Sequence, residues 1–230
     1  RFGTGWWKHA PDVAERLLRK HGFTRNRDGK WLKPDGRRWV IKMIVAPDEV
    51  DIYRLAIGAQ DQWADFGLKL ELETLEREPY TTRGNMGEFE AISSWAQAGG
   101  GLAVNATPDK WQAIFGLHSR FYTPTGKSTA GTGSTNNLRI QSKEIDRIIE
   151  ELGKIHPDDP RVVELGQEFM KLWVENMYSI VTITFKKFTT IDEYYWTGFP
   201  TSENPFMQPL FWFAGGRFAF QHIEPLSMPI

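Results

Sequence analysis

The chain has 230 residues, a formal net charge of −1 and no cysteine. Its 28 basic and 29 acidic residues are interspersed, which speaks against nucleic acid or an anionic membrane held by charge. Lack of cysteine removes disulfides, thiolate zinc sites and cysteine nucleophiles together, and no apolar run reaches the length of a membrane span.

The start, Arg1-Phe2-Gly3-Thr4-Gly5, is neither an initiator methionine nor a signal peptide, so the chain reads as cut or processed. Pro11 then has the character of a first helical residue, with Val13, Ala14, Leu17 and Leu18 at helical spacing and Gly22 as the stop. Asp28-Gly29 and Pro34-Asp35-Gly36 mark turns, with Trp31 and Leu32 between them as a hairpin strand. Residues 39–45 are β-branched and almost continuously apolar, as a strand covered on both faces would be.

Pro47-Asp48 opens a helix whose stripe is Ile52, Ala56, Ala59, Trp63 and Phe66, closed by Gly67. Leu68, Leu70 and Leu72 alternate with Lys69, Glu71 and Glu73, the mark of a strand with one wet face. Strand, long helix, strand predicts a right-handed parallel crossover. A short helix over 78–86 and a strand over 89–95 follow, the latter running into Gly99-Gly100-Gly101.

Residues 102–137 form a long loop with a helical stretch near Trp111 to Leu117, and ordered loops of that length carry function. Ser142 caps a helix with Ile145, Ile148, Ile149, Leu152 and Ile155 on its apolar face. Asp159-Pro160 starts another, through Val163, Phe169 and Trp173 to about 176, and 180–185 reads as a strand. Beyond Lys187 aromatics, prolines and glycines dominate without periodicity, so 188–230 is expected to be a separate piece.

Catalytic sets are missing from this pattern. Gly126-Lys127-Ser128 matches the end of a phosphate-binding loop, but Phe121 stands where the first glycine belongs and no helix former follows. The five histidines are scattered without paired spacing, which leaves no metal site. Glu71 and Glu73 share a solvated strand face, and serine-nucleophile signatures do not occur. Asn105-Ala106-Thr107 is a formal glycosylation sequon.

What remains is recognition chemistry. Ser93, Ser94, Trp95 and Gln97 lie where a strand feeds a glycine-rich loop, the place where open α/β sheets bind ligands. Arg120, Tyr122, Asn136 and Asn137 sit in the polar loop beyond. Neutral hydrogen-bonding groups beside an indole face suit an uncharged polar ligand such as a sugar. Among the 10 tryptophans, Trp39, Trp63 and Trp173 fall on strand or helix stripes and are expected in the core, with Trp95 as the stacking platform and Trp111 and Trp196 as lesser candidates.

Several segments in order resemble the family 5 extracellular solute-binding proteins, receptors of oligopeptide, nickel and oligosaccharide ABC importers. They are 10–18 with Gly22-Phe23, Ala59-Gln60 through Trp63 to Leu70, Glu90 to Gln97, Asn136-Asn137 with Lys143-Glu144-Ile145-Asp146, and Gly198-Phe199-Pro200-Thr201 with Glu203-Asn204-Pro205. The family pattern has an acidic residue after the tryptophan loop; Gln97 and three glycines stand there, which favours a neutral ligand.

The resemblance implies an α/β fold: one lobe of a two-lobe, type II periplasmic-binding-protein-like architecture, with a mixed sheet flanked by helices. Residues 1–187 would form the ligand-binding lobe, and 188–230 would return to the other lobe, which this chain lacks. It implies a periplasmic or extracellular importer component that binds an oligosaccharide, works with a membrane permease and needs no cofactor. Its ligand-binding residues would be Trp95, Ser93, Ser94, Gln97, Asn136, Asn137, Arg120 and Trp111. The alternatives are an oligopeptide or metal-chelate receptor of the same family, or a glycoside-active enzyme.

Overall fold

Strand β3 (Val40–Val45) organises the first half of the chain, because it has partners on both sides. The computed structural model describes residues 9–94, 115–132, 134, 136–156, 158–180, 191–201, 203–204 and 219–226. β4 (Lys69–Thr74) runs parallel to β3 in a continuous register from Val40 opposite Lys69 to Val45 opposite Thr74. β5 (Ala91–Ile92) is parallel to β3 on its other side, giving the order β4-β3-β5. Helix α2 (Val50–Asp65) links β3 to β4, and α3 (Arg77–Met86) links β4 to β5. Parallel neighbours require such crossovers.

β3 differs from its predicted environment. Ile44 and Val45 are buried but Lys42 is exposed, so only the carboxyl half of the strand is enclosed. β5 is also shorter than expected. Where its ladder has not begun, the Lys42 N–H donates to the Glu90 carboxylate at 2.8 Å, a side chain standing in for a missing strand residue.

Ahead of this sheet, α1 (Pro11–Lys20) ends as its sequence predicts. Gly22 has φ +83°, and the Phe23 N–H donates to the Leu18 carbonyl at 3.0 Å. β1 (Thr24–Arg25) and β2 (Trp31–Leu32) make the expected hairpin, antiparallel with Arg25 opposite Trp31. The Asn26 side chain shapes its turn, accepting the N–H groups of Asp28 and Lys30.

The deepest tryptophan here is Trp31, fully buried beneath the Arg25 guanidinium at 4.4 Å and beside the Phe66 ring at 5.7 Å. Trp39 and Trp63, expected in the core, are half-buried. Trp39 rests against Phe23 at 4.7 Å and so covers the hairpin from outside. Gly67, at φ +88°, lies so close to the Gly29 carbonyl that a Cβ would fall 2.3 Å from it, and this contact seats the hairpin against the end of α2.

The second half is built around two helices, α4 (Lys143–Leu152) and α5 (Arg161–Glu175). The Ser142 hydroxyl accepts the Ile145 N–H at 3.3 Å, the cap its position predicts. Ile145, Ile148, Ile149 and Leu152 are buried against Val162, Leu165, Phe169 and Trp173. The expected Val163 is 53% exposed, while Val162 is buried. Val162 falls seven residues before Phe169, two helical turns, and Val163 points away from that line. Trp173 is core as expected, and its indole N–H donates to Ser179 Oγ at 2.9 Å.

A third unit is a two-stranded antiparallel ribbon, β6 (Trp196–Thr197) with β7 (Glu224–Pro225). The strand expected over 180–185 and the helical stretch near Trp111 lie outside the described residues, apart from their ends. Among the described residues no helix is long and apolar enough to cross a membrane.

Candidate ligand-binding site

Because β3, β4 and β5 are parallel, their carboxyl ends, Val45, Thr74 and Ile92, emerge on one edge of the sheet. Helices α2 and α3 begin there, and so does the segment that leaves β5 through Ser93 and Ser94. Three hydrogen bonds fix its first residue. The Ser93 N–H donates to the Ile44 carbonyl at 3.2 Å, the Ser93 hydroxyl donates to the Ile52 carbonyl at 3.1 Å, and the Tyr80 hydroxyl donates to the Ser93 carbonyl at 2.6 Å.

Tyr80 is buried in a small cluster with Ile44 and Ala46, bordered by Leu75, Phe89 and Ile92. Burial pushes its phenol upward from the usual value, and hydrogen bonding with Ser94 pulls the other way. Ser93 is thus held as an anchor, whereas Ser94 is exposed at the edge. Trp95, Gln97 and Trp111, also expected at the site, lie outside the described residues.

A charged group shares this edge. Arg77, at the start of α3, reaches Asp48 at 2.7 Å and Glu49 at 2.9 Å, and these carboxylates hold its guanidinium above its ordinary pKa. Neither Arg77 nor Tyr80 was singled out from sequence. The signal for Tyr80 was its place on a helix between two strands; nothing local marked the ion pair, which joins residues 29 apart.

Asn136 and Asn137 belong to a different cluster, toward the far end of α3. The 124–140 segment docks on the last turn of that helix: the Gly126 N–H donates to the Met86 carbonyl, and the Thr129 N–H to that of Asn85. Arg139, at φ +58°, bonds the carbonyls of Asn85, Lys127 and Asn136. Burial lowers its pKa, and its Nε lies against Gly87.

Asn136 is fully buried, with Oδ1 accepting the Ile140 N–H at 2.7 Å and Nδ2 donating to the Ile140 carbonyl at 2.6 Å. The Asn137 side-chain oxygen Oδ1 accepts from the Thr129 hydroxyl at 2.7 Å. Among the described residues no hydrogen bond joins this cluster to Ser93 or Ser94.

Arg120 stands in a third place, exposed on a 3₁₀ turn (Ser119–Phe121), with its guanidinium 4.6 Å from the Phe121 ring centre. That turn is tied to α4, since the Ser119 N–H donates to Asp146 at 2.8 Å and His118 approaches Glu150 at 3.3 Å. Among the described residues no cluster of three histidine or carboxylate groups is placed to hold a metal.

No protein-family profile and no curated protein matches the chain. Solved structures do. A mannohexaose-bound periplasmic oligopeptide-binding protein of an ABC transporter from Thermotoga maritima aligns with 96% of this chain and 40% of its own, at TM-score 0.62 and 19% identity. An oligopeptide-binding protein from Bacillus subtilis, in complex with a nonapeptide, aligns with 75% of this chain and 31% of its own, at TM-score 0.56 and 15% identity. A periplasmic binding protein from Agrobacterium fabrum, in complex with stachyose, aligns with 75% and 25%, at TM-score 0.56 and 15% identity.

The likeness to solute-binding proteins expected from sequence is therefore present at the level of the fold: an α/β arrangement of the type II periplasmic-binding-protein kind. The chain spans two fifths or less of the length of these proteins.

Proposed function

We propose that this chain is a ligand-binding lobe of the substrate-binding component of an ABC importer, acting outside the cytoplasm, and that its ligand is an oligosaccharide. The observation that carries the reading is the anchored exit from β5 at the carboxyl edge of a parallel sheet, in a fold shared over 96% of the chain with the mannohexaose-bound protein. All three neighbours are named as binding proteins and one as part of an ABC transporter, which supports holding over turnover and a membrane permease as partner.

In this reading Ser94 and the Trp95 to Gln97 segment reach the ligand, with Trp95 as stacking platform and Trp111 beside it. Ser93 positions them. Arg120 is kept as a candidate contact from its exposed place on the turn beside α4. Asn136 supports the lobe from within, because both ends of its amide are taken up by Ile140, and Asn137 is held beside it through its Oδ1 by Thr129. Residues 188–230 contact the complementary lobe of a longer protein, and the two lobes close around the ligand.

One observation favours a second ligand class. The Asp48–Arg77–Glu49 group places charge at the same edge, and charge suits a peptide or a metal chelate. Calorimetric titration with mannohexaose, stachyose, a nonapeptide and nickel–histidine separates the classes. The oligosaccharide reading expects heat from a sugar that Trp95→Ala removes. Peptide heat with no response to any sugar would replace it with the second reading. Turnover of a labelled oligosaccharide would establish the glycoside-active alternative.

A further inference from the structure

Helix α3 supplies one of the three bonds that fix Ser93, yet little in its own sequence holds it in place. It contains Pro79, Thr81, Thr82 and Gly84, residues that favour helix little, and Glu76 at its head makes no side-chain cap. Of its 10 residues only Tyr80 and Gly84 are buried. A helix so lightly packed depends on polar contacts at its ends.

Toward the far end those contacts are the Arg83–Glu73 ion pair and the docked 124–140 segment. From the first turn, the side-chain bonds to other elements among the described residues come from Arg77 and Tyr80. Arg77 Nε and one terminal nitrogen both meet Asp48 Oδ2 at 2.7 Å, and the same terminal nitrogen meets Glu49 Oε1 at 2.9 Å. Asp48 and Glu49 lie where β3 leads into α2. The Arg77 guanidinium carbon is also 6.0 Å from the centre of the Tyr80 ring, one helical turn along.

These bonds form a closed circuit. Ser93 is held by the Tyr80 hydroxyl on α3 and by the Ile52 carbonyl on α2, and Arg77 ties α3 to the residues just ahead of Ile52. We infer that Arg77 is a positioning residue: by clamping the start of α3 to the start of α2 it sets the place of Tyr80, and through Tyr80 the exit of β5. Its purpose rests on the ligand-binding reading above; its action rests on the described bonds alone. The Asp48–Arg77–Glu49 group then serves the frame of the site, whichever ligand class the site takes.

A double-mutant cycle in the whole chain, read by urea unfolding without ligand, tests the clamp. If Arg77 acts through Tyr80, the loss caused by Tyr80→Phe shrinks by about half when Arg77→Met is already present. Asp48→Asn with Glu49→Gln in place of Arg77→Met gives the same coupling, Arg77→Lys keeps part of it, and high salt weakens it. Arg147→Met, which removes ion pairs from α4, adds to Tyr80→Phe without coupling. Calorimetry supplies the second readout: Arg77→Met weakens whichever of mannohexaose and the nonapeptide binds by about threefold, because only the population of the placed exit is lost. Strict additivity of Arg77→Met and Tyr80→Phe would overturn the inference. So would additivity joined to loss of nonapeptide binding alone, which would make Arg77 a ligand contact. Silence toward both ligands would remove the receptor reading, and the unfolding cycle would still decide the clamp.

Discussion

Helix α3 has polar clusters toward both of its ends, built from similar residues and put to opposite uses. Toward its start, Tyr80 and Ser93 tie down the main chain while Ser94 stays exposed beside the Tyr80 hydroxyl. Toward its last turn, Asn136, Asn137, Thr129 and Arg139 bond to one another and to backbone carbonyls, and Asn136 is wholly enclosed. The ends are roughly 15 Å apart at 1.5 Å per residue. Serine or asparagine in a loop is thus no guide to ligand contact; what decides is whether a main-chain partner has already taken the side chain.

The comparison breaks most readily at Asn136. Asn136→Ala leaves the Ile140 N–H and carbonyl unpaired in a buried place and is expected to cost about 3 kcal/mol of stability by urea unfolding, with ligand affinity unchanged. A loss of affinity at full occupancy of the folded state would move Asn136 to the site. Gly87→Ala comes next. Its φ of +68° and a Cβ 2.9 Å from the Arg139 guanidinium predict a loss of about 2 kcal/mol in the same assay. A neutral result would show that Arg139 is free to move.

Tyr80→Phe is the mildest change, expected to cost about 1 kcal/mol at neutral pH through the lost bond to the Ser93 carbonyl. It also has a signature in pH. Burial raises the folded-state pKa of Tyr80 above that of an ordinary phenol, so the protonated phenol's contribution is fully present below the ordinary value and is lost as pH rises through the folded one. The stability gap between the natural chain and Tyr80→Phe should therefore close in alkaline solution. A gap that persists or widens there would show that the phenol is not held protonated by the fold.

The framework was legible because it is periodic. The β3, α2, β4 order, the Gly22 stop and the Ser142 cap each rest on spacing or on a local hydrogen bond, and the structure has all of them. What spacing alone did not show lies where two neighbours compete for one position or where tertiary contact adds to pattern. Val162 and Val163 are chemically identical, and only the phase set by Phe169 separates them. Trp31 is buried by a guanidinium six residues away in sequence, in a hairpin too short to show a period. The amides of Asn136 and Asn137 are taken up by Ile140 and Thr129, a pairing that depends on the turn taken at Arg139, a residue type seldom found at positive φ.

The anchor at Ser93 bears on how the proposed receptor would change its ligand. Two of its three bonds use the peptide amide and carbonyl, which every residue except proline possesses in full. A segment anchored through its own main chain keeps its point of departure while its side chains are rewritten. Libraries that randomise residues from Ser94 onward should therefore retain a common scaffold, and new specificities should accumulate there without refolding the lobe.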